Sequence, residues 1–113
     1  MAGSKVYIAP YEVIDESILA GAVWTSPEIE IPCYANGISL SHKSDVDGML
    51  EIQKELGGVF QTFDTLPITG GDPVMPTKVY AFRFPKLKMI FTPALGVAAV
   101  ISNRVEVTTA VRA

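Results

Sequence analysis

The chain has 113 residues, 12 acidic against 9 basic, and a mean hydropathy of +0.32. This length supports one domain with its own core, without metal or disulfides. No apolar run approaches the ~18 residues of a membrane span, so no membrane partner is expected. Residues 1–5 lack the apolar block of a signal peptide, which predicts a protein made and kept in the cytoplasm.

Charge is sorted along the chain. Residues 1–72 contain eleven acidic and three basic side chains, whereas residues 73–113 contain six basic side chains and one acidic one. The two parts are expected to face each other within one subunit or across neighbouring subunits. The high apolar content also indicates contact between subunits, because surplus apolar surface on a small domain commonly lies in a subunit interface. A homo-oligomer is therefore expected.

The first elements are predicted from short apolar patterns. Residues 5–13 are rich in valine, tyrosine and isoleucine and predict a strand, which Pro10 weakens near its middle. Residues 15–20 predict one helical turn that Gly21 ends.

A hairpin is predicted around Asn36-Gly37, since both residues tolerate the positive φ of a type I′ turn. Its arms would be residues 28–35, which begin with alternating glutamate and isoleucine, and residues 38–43. In the second arm, one face would carry Ile38, Leu40 and His42.

One flanking α-helix is predicted over residues 45–56. Ser44 is a suitable N-cap, and Gly57-Gly58 provides a stop. The spacing typical of a helix is followed by Val46, Met49, Leu50, Gln53 and Leu56. Gly48 lies within this segment and lowers its helical propensity.

The remaining segments predict further strands. Residues 59–65 form one strand, and about residues 65–77 form a long loop with several prolines and glycines. Alternation then predicts strands over 78–84, 86–91, 96–101 and 104–112, with a short turn at Ser102-Asn103. The predicted fold class is mainly β (α+β): a single-domain antiparallel β-sandwich or open barrel with one flanking helix.

Catalytic and metal signatures are weak. His42 is the single histidine and Cys33 the single cysteine, so zinc ligation has little support, and no cofactor or metal is expected. A Cys33–His42 pair across the predicted hairpin is a less favoured alternative to a core thiol and a sheet histidine. A second alternative is a small β-barrel that binds a ligand or performs simple chemistry in a pocket near His42, Tyr34 and Asp45.

Aromatic and basic residues alternate over residues 80–88, a pattern also found in single-strand nucleic-acid platforms. The aromatic residues Tyr80, Phe82 and Phe84 share the face opposite Arg83, and the chain is acidic overall. A core-facing aromatic stripe is therefore favoured over a nucleic-acid partner.

The layout resembles that of small bacteriophage virion proteins. It starts with a strand after Met1-Ala2-Gly3-Ser4-Lys5-Val6-Tyr7-Ile8, places one helix after the early strands, and has a long proline- and glycine-containing loop before a sheet-forming half. The nearest types are tail-tube subunits, head decoration proteins and tail terminators. The resemblance implies a sandwich that assembles into rings or stacks with other virion proteins, first in the host cytoplasm and then in the particle.

The expected function is thus a non-catalytic structural subunit, a tail-tube, decoration or connector protein that self-assembles. Charge complementarity would join the subunits head to tail. The predicted interface consists of Glu28, Glu30, Thr69, Asp72, Met75, Lys86, Lys88 and Arg104.

Overall fold

A computed structural model describes residues 6–32, 35–71, 77–80 and 85–108. Almost all of the regular structure in these residues is β. Ten strands follow one another along the chain: β1 Val6–Ile8, β2 Tyr11–Ile18, β3 Trp24–Thr25, β4 Glu28–Glu30, β5 Gly37–Ser44, β6 Gly48–Leu56, β7 Val59–Ile68, β8 Thr77–Tyr80, β9 Lys86–Pro93 and β10 Ala99–Thr108.

The strands form two sheets between which the chain passes repeatedly. The first sheet has the order β1-β4-β9-β6-β7, with β3 also paired to β9, and the second has the order β2-β10-β5-β8. All pairs are antiparallel except the parallel pair of β1 and β4. The predicted antiparallel β-sandwich is therefore confirmed, with that one parallel pair at its edge.

The core lies between the sheets and follows the two-residue period of the strands. In β9, Leu87, Met89 and Phe91 are fully buried, while the residues between them are partly exposed. In β5, the predicted inward face is confirmed, because Ile38, Leu40 and His42 are each at most 1% exposed. Val105 on β10 completes this layer.

The predicted helix over residues 45–56 is wrong, because this segment forms β6. Leu50 and Ile52, two residues apart, are fully buried, whereas Met49 is 46% exposed. The apolar residues of this segment thus fit a period of two as well as a helical period, and pairing with both β7 and β9 selects the strand. In the described part of the chain, the one helical element is a single 3-10 turn at Ala94–Gly96.

The first predicted strand is interrupted at Pro10. Ala9-Pro10 separates β1 in one sheet from β2 in the other, and the Ala9 amide donates to the Glu30 carbonyl at 3.0 Å. The predicted helical turn at residues 15–20 is also wrong, because β2 continues to Ile18. Asp15 has a φ of 53° and marks an irregularity in that strand, where its pairing with β10 shifts register.

Three other predicted connections differ from the structure. Asn36-Gly37 does not join a hairpin, because β4 and β5 lie in different sheets. The predicted loop over residues 65–77 begins later, because β7 extends to Ile68, and residues 72–76 are outside the described part. The predicted turn at Ser102-Asn103 is instead an internal part of β10.

One side of the sandwich is bridged and the other is open. The Tyr80 hydroxyl on β8 donates to Asp64 on β7 at 2.6 Å and joins the two edge strands. Burial and this hydrogen bond raise the Tyr80 pKa. On the opposite side, β1 and β3 of the first sheet face β2 of the second across a cleft. None of the described helical structure has the length and apolar character needed to cross a bilayer.

Candidate functional site

An open cleft of about 680 Å³ lies on the unbridged side of the sandwich. It is formed where β2 and the residues before it come near β3 and the start of β4. Its walls consist of Tyr7, Pro10, Tyr11, Glu12, Val13, Glu16, Trp24, Thr25 and Pro27. Ligand sites in proteins are typically concave and combine apolar side chains with polar groups, and this cleft contains both kinds.

Three aromatic rings dominate the cleft. Tyr7 is 42% exposed and Tyr11 is 8% exposed, and their ring centroids are 5.5 Å apart in an edge-to-face arrangement. The strand break at Pro10 produces this pair, because it places Tyr7 in one sheet and Tyr11 in the other. The half-buried Trp24 forms a further part of the wall.

Trp24 is supported by contacts with core residues. Its backbone is paired with Phe91 of β9, and its ring lies 5.9 Å from the ring of His42. His42 in turn lies 4.8 Å from the Phe91 ring. The aromatic wall of the cleft therefore rests on packed core side chains, which limits its movement.

Two carboxylates line the cleft, and they differ in their partners. Glu12 Oε2 accepts hydrogen bonds from Arg104 Nε at 2.9 Å and Nη2 at 2.6 Å. Glu16 has no ion pair or hydrogen bond with the side chains that the structure describes. Burial, followed by the charge of Glu16, raises the pKa of Tyr11 to about 12, so the Tyr11 hydroxyl stays protonated and can donate a hydrogen bond.

A smaller recess of about 370 Å³ adjoins the cleft. It shares Pro10, Tyr11 and Glu12 with the cleft and adds Arg104 and Glu106 from β10. The hydrogen bonds and charge of Glu12 raise the Arg104 pKa. The shared residues make the two hollows neighbours along the surface, so an extended ligand can lie across both.

His42 is a core residue and does not line the cleft. Its Nδ1 lies 2.9 Å from Asn103 Nδ2, while its Nε2 and the Asn103 Oδ1 have no hydrogen-bond partner among the residues that the structure describes. Burial lowers the pKa of His42 to about 4, so the ring is neutral near pH 7. A buried neutral imidazole without solvent access is poorly placed to act as a general base on a bound ligand.

The predicted pocket near His42 is therefore not where the structure places the cleft. Asp45 lines a separate recess, and its carboxylate accepts a hydrogen bond from the Val100 amide at 2.8 Å. Tyr34 and Cys33 lie outside the described residues, as does any contact between Cys33 and His42. Among the residues that are described, no three histidine, cysteine or acidic side chains are grouped in a way that would hold a metal ion.

Some residues of the predicted subunit interface have partners within the same chain. Lys86 Nζ lies 3.3 Å from Glu28 Oε1, and Arg104 pairs with Glu12. Lys88 Nζ lies 4.6 Å from the centroid of the Phe60 ring.

The other predicted interface residues are Glu30 and Thr69, which are exposed, and Asp72 and Met75, which are outside the described residues. The interface itself stays a prediction.

The residues that form the cleft were not predicted from the sequence. Two local signals were present: tyrosines on either side of the Ala9-Pro10 break, and the single tryptophan, Trp24. Tyr7 and Tyr11 were read as parts of one strand, where they would lie on the same side of one sheet. Because the sequence does not show that Pro10 moves the chain to the second sheet, it does not reveal a cleft between them.

Comparisons with known proteins yield one solved structure. No protein-family model and no curated protein sequence matches this chain. The solved structure is a family 6 carbohydrate-binding module whose binding sub-sites were dissected by X-ray crystallography and isothermal titration calorimetry. It is similar over 96% of this chain and 100% of its own, with a TM-score of 0.48 and 11% sequence identity.

The expected resemblance to bacteriophage virion proteins is wrong, because the solved structure found is a carbohydrate-binding module and no virion protein was matched. The expectation of a self-assembling tail, decoration or connector subunit falls with it. At this identity and TM-score, the likeness supports no statement about what the present chain binds.

Proposed function

We propose that this chain is a non-catalytic binding domain that takes a carbohydrate into the cleft of Tyr7, Tyr11 and Trp24. The observation that carries this proposal is the grouping, in one open cleft, of three aromatic rings with a carboxylate, Glu16, that has no ion pair among the described side chains. Aromatic faces pack against the C–H groups of a sugar ring, and their partial negative charge favours those contacts. The Tyr11 hydroxyl and the Glu16 carboxylate supply a donor and an acceptor for sugar hydroxyls.

A binding role fits the cleft better than hydrolysis does. Most glycosidases use two carboxyl groups that flank the scissile bond, one of them as a proton donor. Of the two carboxylates in this cleft, Glu12 is engaged by two hydrogen bonds from Arg104. His42, the other residue suited to proton transfer near pH 7, lies in the core.

The proposal is tested by titrating the intact chain with neutral oligosaccharides of glucose, xylose and galactose. Trp24 is the only tryptophan, so its fluorescence reports directly on the cleft. We expect a saturable fluorescence change and a matching heat signal with at least one glycan. Tyr7→Ala should weaken that affinity at least tenfold, since it removes an exposed stacking surface.

A matched control is available on the opposite side of the sandwich. Phe60 on β7 is a half-buried aromatic residue that contacts Lys88 and does not line the cleft. Phe60→Ala should leave glycan affinity unchanged, and circular dichroism should show that both variants are folded. The proposal is overturned if no glycan, neutral or charged, produces a saturable signal, or if the two substitutions weaken binding equally.

A further inference from the structure

We infer that the cleft selects sugars that carry a free amine over neutral sugars and excludes sugars that carry a carboxylate. This inference rests on the proposed function, because it names the class of carbohydrate that the same site would take. It is carried by the unequal distribution of charge around the aromatic rings.

The cleft and its adjoining recess are negatively charged. Among the described residues, their charged side chains are the carboxylates Glu12, Glu16 and Glu106 and one cation, Arg104. The Arg104 guanidinium is already engaged, since it donates two hydrogen bonds to Glu12 and lies 3.9 Å from Glu106. In the described lining, an acidic sugar would therefore meet carboxylates and no cation that is free of a partner, and like charges brought together oppose binding.

Glu16 is the group expected to recognise an amine. It lies in the wall that also contains Tyr11 and Trp24, and it has no ion pair among the described side chains. Its charge reaches Tyr11, because it adds to the effect of burial, the larger cause, in raising the Tyr11 pKa.

A protonated amine in this position would gain a charge pair with Glu16. It would also gain a cation–π contact with the neighbouring rings. A neutral sugar gains neither of these two interactions. The aromatic rings thus account for binding of the sugar ring, and the carboxylate accounts for selection among sugars.

The test compares three oligosaccharides of equal length at a pH where the amine is protonated: a glucosamine oligomer, its N-acetylated form, and an oligomer that contains glucuronate. Isothermal titration calorimetry is performed on the wild-type chain, Glu16→Gln and Glu55→Gln. Glu55 lies on β6 outside the cleft, so its substitution makes the same change in net charge elsewhere.

We expect the glucosamine oligomer to bind wild type at least tenfold more tightly than the acetylated form, and the glucuronate oligomer to bind most weakly. Glu16→Gln should remove most of the amine preference, because it should lower the affinity for the glucosamine oligomer at least fivefold more than the affinity for the acetylated form. Glu55→Gln should keep the preference. Added salt should reduce the difference in affinity between the glucosamine oligomer and its N-acetylated form, because ions screen the exposed charge of Glu16.

The outcomes separate the two proposals. Equal affinity for the amine and acetylated forms overturns the inference while the proposed function stands. An amine preference that survives in Glu16→Gln, or that Glu55→Gln reduces equally, also overturns it, because the preference would then reflect general attraction to an acidic protein. If none of the three oligomers nor any neutral glycan binds, the proposed function fails and the inference falls with it.

Discussion

The pair formed by His42 and Asn103 is the most unusual feature at the scale of single residues. Both side chains are at most 1% exposed, yet each leaves one polar atom without a hydrogen bond. A buried polar atom without a partner costs on the order of 1–3 kcal/mol. The arrangement is therefore a source of instability in the core.

Acid should destabilise the chain through His42. The folded-state pKa is about 4 and the unfolded value is 6.5, so the unfolded chain binds the extra proton first as pH falls. Above pH 6.5 this group contributes no pH dependence, and between pH 6.5 and 4 stability should fall by a total of about 3 kcal/mol. Urea unfolding at a series of pH values measures the decline.

The double variant His42→Leu/Asn103→Leu provides the comparison. It removes the titrating group together with both unpaired polar atoms, so the loss of stability in this pH window should be about 3 kcal/mol smaller than in wild type. An identical pH profile in the two proteins would show that His42 does not titrate in this way. His42→Leu alone is less informative, because it leaves the Asn103 amide buried without its partner.

At the scale of elements, β6 depends on a glycine. A Cβ atom on Gly48 would lie 2.4 Å from Phe91 Cζ and 2.6 Å from the Thr92 carbonyl oxygen. The strand is paired on both sides, to β7 and to β9, so it cannot move away from the clash. This close approach explains why a residue with low strand propensity begins a central strand.

Gly48→Ala should lower the free energy of unfolding by about 3 kcal/mol, since overpacking in a constrained core is costly. Denaturant unfolding measures this change in the free energy of unfolding. Gln61→Ala, on the exposed part of β7, is the control and should change that free energy by close to zero. In a Phe91→Leu background, the cost of Gly48→Ala should be smaller, because part of the ring is gone. Equal costs in both backgrounds would argue against the contact.

Strands were predictable where burial follows a local period of two. They were less predictable where pairing with neighbouring strands decides between a strand and a helix. The inward face of β5 and the existence of a strand over residues 86–91 were predicted correctly, because each sequence alternates without competing signals. The segment now known as β6 fits both a strand and a helix, and its two neighbours in the sheet decide between them. The sandwich itself was predicted, but which strand belongs to which sheet was not, because that depends on contacts between distant residues.

At the scale of the whole molecule, the sorted charges meet within one chain. Arg104 pairs with Glu12 and Lys86 pairs with Glu28, so each pair joins the basic later part to the acidic earlier part. All four side chains are substantially exposed to solvent, and such pairs contribute at most about 1 kcal/mol each. Their role in stability is therefore small.

Homo-oligomer formation stays a prediction, and the exposed apolar residues give it a physical basis. Leu19, Leu95 and Val23 are 79%, 98% and 52% exposed, and a hydrogen bond from Gly21 to Gly96 joins their two loops at one end of the sandwich. We expect light scattering after size-exclusion chromatography to show a mass above 12.2 kDa at high protein concentration. Leu19→Ser/Leu95→Ser should shift the protein toward monomer, and a monomeric wild type at all concentrations would contradict the prediction.

The order in which the strands are synthesised has a consequence for how the chain folds in the cell. β9 connects β3 and β4 to β6, and β10 connects β2 to β5. Without β9 the first sheet falls into three separate pieces, and without β10 the second sheet falls into two, although most of the polypeptide already exists. A nascent chain is therefore left with exposed strand edges until residues 86–108 have left the ribosome, and during that interval it depends on protection from aggregation.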